Sequence, residues 1–179
     1  CINYVDVQIG SLLDELKKRP GSRDTVIVLT SDHGWNLGEK THWCKAAIWR
    51  DTTRVPFIVV SPGIAKAGLR NNQPISHVDI YPSLCDFAGI SKPGHLEGLS
   101  ILPLLKDQSA TRDFAFLSYG PENTAAQSER YRYLRYEDGS EELYDHKKDP
   151  HEWTNLIGNK KHQKLTKKMR AQVLAFQNK

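Results

Sequence analysis

The sequence predicts an α/β protein, with residues 1–110 forming part of a layered sheet-and-helix core and residues 111–179 forming a small antiparallel sheet closed by a helix. Three observations carry that expectation. Ile2, Val5, Ile9, Leu12, Leu13 and Leu16 recur at helical spacing, and an almost wholly apolar run, Thr25–Ser31, follows them. A second apolar run, Arg54-Val-Pro-Phe-Ile-Val-Val60, precedes another helical pattern, so strands and helices alternate as they do in α/β proteins. Beyond about Asp107 the texture changes to short alternating segments with a strong hairpin signal at Asp138-Gly139.

Taken in order, the first helix carries Asp6, Gln8, Asp14, Glu15 and Lys17 opposite its apolar stripe and stops at Arg19-Pro-Gly21. Thr25–Ser31 is apolar at nearly every position, which predicts a parallel strand covered on both faces. Arg54–Val60 reads as another buried strand, ended by Ser61-Pro-Gly63. Ser76–Gly89 reads as a helix entry with Asp79 near an N-cap, Pro82 in the early turns where a missing N–H is tolerated, and a glycine stop. Asp113–Tyr119 is a short strand, and Arg130-Tyr-Arg-Tyr-Leu-Arg-Tyr136 alternates in the manner of a half-exposed strand. Asp138-Gly139 returns the chain through Glu141–Tyr144, and a last helix uses Leu165, Met169, Val173 and Phe176 as its buried stripe.

The composition, 39% hydrophobic and 26% charged over 179 residues, is that of a globular protein, and no apolar run approaches the length of a membrane span. The chain begins with Cys1 inside an amphipathic pattern, which leads us to expect a fragment or a processed chain. A formal charge of +4 is mild, and Lys160, Lys161, Lys164, Lys167, Lys168 and Arg170 read as the wet face of a helix; no nucleic-acid partner is expected. Cys1, Cys44 and Cys85 show neither zinc-finger spacing nor a Cys-x-x-Cys pair, and an odd, sparse count argues against a disulfide scaffold.

The chemistry concentrates where Thr25-Val-Ile-Val-Leu-Thr-Ser-Asp-His-Gly34 ends. Ligands of open α/β sheets gather outside the carboxyl ends of strands, so Asp32 and His33 stand where a hard oxygen and an imidazole can share one metal. Gly34 permits a sharp turn, and Lys45, twelve residues after His33, can return from the loop as a point charge for an anion. Trp35 can stack on a sugar face or simply pack, and His42 can assist binding or proton transfer or be structural. His77, Arg50 and Arg54 read as structural, as do Tyr131, Tyr133 and Tyr136.

The wider pattern resembles the sulfatase family of the alkaline-phosphatase-like superfamily. The residues that carry it are Val5-Asp6-x-Gln8-Ile9-Gly10, Ser31-Asp-His-Gly-Trp-Asn-Leu-Gly-Glu39, Trp43-Cys-Lys45, Thr53-Arg-Val-Pro56, Val78-Asp79-x-x-Pro82, Glu142-Leu-Tyr-Asp145 and Asp149-Pro-x-Glu152-x-x-Asn-Leu156. They cover nearly the whole chain, and the Trp35 and Gly38-Glu39 context is most similar to the iduronate-2-sulfatase branch and its bacterial relatives. The resemblance implies the C-terminal part of a three-layer α/β/α sulfatase core.

It further implies that Asp32 and His33 are ligands of one divalent cation, usually calcium, although imidazole is an unusual partner for that hard ion. Lys45 matches the lysine that contacts sulfate, and Trp35 and His42 would border the substrate. The Cys- or Ser-x-Pro-x-Arg motif whose first residue becomes the formylglycine nucleophile is absent from the 179 residues, as are the paired aspartates that complete the metal shell. The expected parent is therefore a sulfatase acting on sulfated carbohydrate such as 2-O-sulfated uronic acids, in a periplasmic, secreted or lysosomal setting. Its N-terminal part would supply the nucleophile, and this chain alone would be inactive. Two alternatives stand beside it: a phosphomonoester, phosphodiester or phosphonate hydrolase of the same superfamily, and a non-catalytic fragment that binds sulfated glycan.

Overall fold

The computed structural model describes residues 1–120 and 122–178. Helix α1 (Ile2–Lys17) forms as its periodicity predicts, yet none of its residues is buried. Ile2, Val5, Val7 and Leu12 are all more than half exposed, so its apolar stripe is uncovered by any described residue.

Strand β1 (Ile27–Thr30) pairs with β4 (Phe57–Val60), and the pairing is antiparallel, with Ile27 opposite Val60 and Thr30 opposite Phe57. The parallel arrangement expected for β1 is thus corrected. A parallel partner needs a crossover, usually a full helix, whereas the segment between these strands holds a two-residue ribbon, β2 (Asn36–Leu37) with β3 (Trp43–Cys44), a 3-10 turn at Glu39–Thr41 and the four-residue helix α2 (Arg50–Thr53). Nor do the described residues cover this pair on both faces: β1 is half-buried throughout and Ile58 and Val60 are exposed.

Helix α3 (Ile80–Ala88) follows a capping box in which the Asp79 carboxylate accepts the Ser76 N–H at 2.7 Å, and Gly89 at φ 65° closes it. Asp79 is fully buried and also accepts the Leu99 N–H at 2.8 Å and both arms of the Arg112 guanidinium. Every lone pair of that buried charge has a donor, which is the condition for keeping it. A short helix, α4 (Leu102–Lys106), leads to Arg112.

Strands β5 (Ala115–Tyr119), β6 (Asn123–Gln127), β7 (Tyr131–Arg135) and β8 (Glu141–Asp145) form an antiparallel meander in chain order, and α5 (Gln163–Gln177) closes the chain. Gly139 at φ 81° makes the β7–β8 turn as the Asp-Gly signal predicts. One face of the sheet packs Phe114, Ala126, Tyr133 and Leu143 on Met169 and Val173 of α5. The other packs Ala125, Leu134 and Tyr144 on Ile48 and Trp49, which belong to the segment following Lys45. Strand β7 is therefore covered on both faces, and the half-exposed strand read from its alternation is corrected: Arg132, Tyr133 and Leu134 are all buried. An inward arginine looks like a solvent-facing one in sequence because its acidic partner, Glu152, lies twenty residues further on.

Candidate active site

The β1 strand ends in Ser31-Asp32-His33-Gly34, and this turn is stitched to α2. The Gly34 and Trp35 N–H groups donate to the Thr52 and Asp51 carbonyls at 2.9 and 3.0 Å. A Cβ on residue 34 would fall 2.0 Å from the Asp51 carbonyl oxygen, so only glycine allows this approach.

Asp32 is exposed, and its Oδ1 accepts the His33 N–H at 3.0 Å. The slight burial of the carboxyl would raise its pKa, but the bond from the His33 N–H, with the adjacent imidazole and the Lys45 charge, outweighs it and holds the group below the usual carboxylate range. His33 Nδ1 lies 2.8 Å from the Gly34 carbonyl, an acceptor only, so Nδ1 carries the proton and in the neutral ring Nε2 presents its lone pair. That Nε2 sits 3.2 Å from Asp32 Oδ2. Two acceptors this close need a proton or a cation between them, and a lone pair fixed by a carbonyl behind the ring is how histidines are prepared for metal. This pair suits two positions of a cation's shell. Among the described residues no group of three or more such ligands occurs, so the other positions would have to be filled from outside them.

Lys45 is exposed just after β3, near enough for its charge to reach Asp32. The loop that presents it is strained: Lys40, Thr41 and Cys44 all take positive φ, at 53°, 58° and 80°. Such residues cost on the order of 1–3 kcal/mol each and persist where the surroundings over-determine them, commonly at functional sites. Here the surroundings are the small sheet. Lys40 Nζ donates to the Tyr144 hydroxyl at 2.8 Å and lies 4.5 Å and 5.1 Å from the ring centres of Tyr144 and Trp49. The Glu142 carboxylate accepts from Trp49 Nε1 at 2.9 Å and from the Tyr144 and Tyr136 hydroxyls at 2.9 and 3.2 Å. Burial, reinforced by Glu142, pushes both phenols up, so they remain protonated donors.

A second tie lies behind it. Glu152, itself at φ 59° and buried, accepts the Arg50 N–H and His146 Nε2 at 2.9 and 2.8 Å, and faces Arg132 at 3.6 Å. Arg132 in turn donates to the Ile48 carbonyl at 2.6 Å and the Thr53 hydroxyl at 2.8 Å. The short α2 segment that stitches Gly34 in place is thereby fixed to the sheet.

The sequence-predicted residues divide into two groups. Asp32 and His33 stand together at 3.2 Å, Trp35, half exposed, sets its ring 6.1 Å from that of His33, and Lys45 lies exposed just beyond β3. His42 turns away to pack edge-on to Trp49 at 5.7 Å, with its Nε2 enclosed and unpartnered among the described residues. Sequence reasoning missed Lys40, Trp49 and Tyr144 as a unit, because nearly a hundred residues separate the loop from β8. Positive φ at three nearby non-glycine residues leaves no mark in composition. His77 places Nε2 3.2 Å from the Thr30 hydroxyl, tying the entry of α3 to the end of β1.

An adjacent acid and imidazole at a strand end, a lysine on a strained loop and a four-stranded meander behind them mark this as part of an α/β fold with polar groups gathered at a strand end. The chain belongs to the sulfatase family, for residues 38–179 match the family described as N-sulphoglucosamine sulphohydrolase, C-terminal. It is 38% identical over 160 residues to a sulfatase of Formosa agariphila, covering 89% of this chain and 31% of that protein. It is 32% identical over 184 residues to a Delta 4,5-hexuronate-2-O-sulfatase of Bacteroides thetaiotaomicron, covering 93% of this chain and 37% of that one. Its fold matches the solved structure of a 2-O GAG sulfatase with a TM-score of 0.82 and 31% identity, over 96% of this chain and 40% of that one. The chain thus spans about a third of the length of the curated relatives it matches.

Proposed function

We propose that this chain forms one wall of the active site of a sulfuric ester hydrolase acting on sulfated sugars, with 2-O-sulfated uronic acids as the favoured class. The carrying observation is the pairing of His33 Nε2 with Asp32 Oδ2 at 3.2 Å at the end of β1, with Lys45 exposed on the loop that follows. Kinship to a hexuronate-2-O-sulfatase and a 2-O GAG sulfatase, and the iduronate-2-sulfatase-like context of Trp35 and Gly38-Glu39, support the substrate class.

Asp32 and His33 would hold one divalent cation, calcium by family resemblance, together with ligands from an N-terminal part of the same enzyme. Such an ion would neutralise charge on the sulfate oxygens. Lys45 places its ammonium against the ester, where it offsets the negative charge that grows on the bridging oxygen as the bond to sulfur breaks. Trp35 borders the sugar. The nucleophile, a formylglycine, belongs to the N-terminal part, and a periplasmic, secreted or lysosomal setting goes with such substrates. A boundary near residue 110 between the core part and the C-terminal sheet is part of the same proposal.

The test is mass spectrometry of tryptic peptides from the full-length protein. The reading expects a Cys- or Ser-x-Pro-x-Arg peptide upstream whose first residue carries an aldehyde. A full-length sequence with no such motif would refute it.

A further inference from the structure

The small sheet carries opposite charge at its two ends. The β7–β8 turn holds Glu137 and Asp138, whereas the far end of the same two strands, where Tyr131 pairs with Asp145, is followed by Lys147 and Lys148 and preceded by Arg130. The 3-10 turn Lys160–His162 that leads into α5 is brought to this second end. The His162 ring lies 5.8 Å from the Tyr131 ring, and the Arg130 guanidinium stands over that ring at 4.8 Å. Tyr131 thus spaces a guanidinium and an imidazole, and Lys160 and Lys161 arrive beside the imidazole.

Little acid remains here to neutralise these groups. The buried Asp145 carboxylate accepts both arms of Arg130 at 2.7 and 2.5 Å and the Lys147 N–H at 3.2 Å. Glu129 and Asp149, which flank the patch in sequence, accept Gln73 Nε2 at 3.2 Å and the Thr154 N–H at 2.7 Å. Lys147, Lys148, Lys160 and Lys161 are all exposed, and none forms an ion pair with a described residue. One helix with a wet face would account for lysines on that helix alone. Here two lysine pairs from separate segments flank one aromatic stack.

Unpaired cations gathered on one surface attract a polyanion, which gives up condensed counterions as it binds. The layers show that this surface is not part of the ester site. Tyr131 packs on the face of the sheet that α5 covers, whereas Ile48 and Trp49, three and four residues past Lys45, cover the other face.

We propose that this basic end of the sheet, centred on Tyr131 and His162 and bordered by Lys147, Lys148, Lys160 and Lys161, binds the anionic polysaccharide that carries the sulfated sugars. The choice of polyanion rests on the sulfate-ester reading, since a polymer of sulfated uronic acids bears the closely spaced negative charge that these lysines complement.

The test is heparin binding by the full-length protein, followed calorimetrically over a range of salt concentrations. The double variants Lys147→Gln/Lys148→Gln and Lys160→Gln/Lys161→Gln are measured beside the wild type. Each charge neutralised on a single-stranded polyanion contributes about 0.7 to the fall of log K with log salt, so four engaged lysines predict a slope of about −3, reduced by about 1.4 in each double variant. At physiological salt the Kd for heparin should rise about tenfold in each double variant, while kcat/KM on a small aryl sulfate keeps its wild-type value. Absence of heparin binding, or unchanged affinity in either double variant, overturns the proposal. So does a single-stranded oligodeoxythymidylate of equal total charge that binds as tightly as heparin, which would mark a nucleic-acid surface. A wild type that hydrolyses no sulfate ester overturns the underlying reading instead, whatever its affinity for heparin.

Discussion

Replacing Glu152 by alanine is expected to destabilise the protein by about 3–5 kcal/mol, the cost of leaving a buried charge without its partner. Arg132 is 5% exposed at its side chain and Glu152 1%, so water cannot take over for the missing carboxylate. The Arg50 N–H and His146 Nε2 would lose their acceptor at the same time. Because Arg132 also holds the Ile48 carbonyl and Thr53, the damage should extend into the α2 segment that braces Gly34. Urea unfolding followed by far-UV circular dichroism measures the change, and a loss below about 1 kcal/mol would contradict the account.

The same carboxylate predicts a pH dependence. Burial alone would raise the Glu152 pKa, but bonds from His146 and the Arg50 N–H and the Arg132 charge bring it below its ordinary 4.5. A depressed folded-state value means the unfolded chain binds the proton more readily. The stabilisation is therefore complete above about pH 4.5 and is lost as the pH falls through the lower folded value. Glu152→Gln should flatten that part of the stability profile.

Lys45→Ala in the full-length enzyme should lower kcat for sulfate-ester hydrolysis by about 10²–10³-fold, the loss typical of removing one preorganised electrostatic contact. The loop around Lys45 is held by Lys40, Trp49 and Glu142 rather than by Lys45, whose side chain is exposed, so the fold should survive the change. Lys45→Arg should restore little, since a planar guanidinium does not replace a compact ammonium at one oxygen. Steady-state kinetics with an unchanged circular dichroism spectrum would establish the role, and wild-type turnover in Lys45→Ala would refute it.

The sequence made local features legible. Helices α1 and α5 follow from apolar periodicity, α3 from its entry signal and glycine stop, the β7–β8 hairpin from Asp138-Gly139, and the Asp32-His33 turn from the abrupt end of an apolar run. What it concealed was nonlocal. An apolar run such as Ile27–Thr30 does not record the direction of its partner, and β4 proved antiparallel. Arg132 reads as a solvent-facing residue until Glu152 is brought beneath it. His42 lies in the same loop as Lys45, yet beside the positive-φ residues Thr41 and Cys44 its ring packs edge-on to Trp49.

The central claim is that Asp32, His33 and Lys45 form a wall of a sulfate-ester site, and inorganic sulfate released by the full-length enzyme tests it most directly. Wild type and Asp32→Ala would be assayed side by side on a 2-O-sulfated uronide, with a phosphonate monoester as the competing substrate. The account predicts sulfate release by the wild type in preference to phosphonate ester hydrolysis, and its near-complete loss in Asp32→Ala. A wild type that prefers the phosphonate ester, or an Asp32→Ala variant that releases sulfate at the wild-type rate, would contradict it.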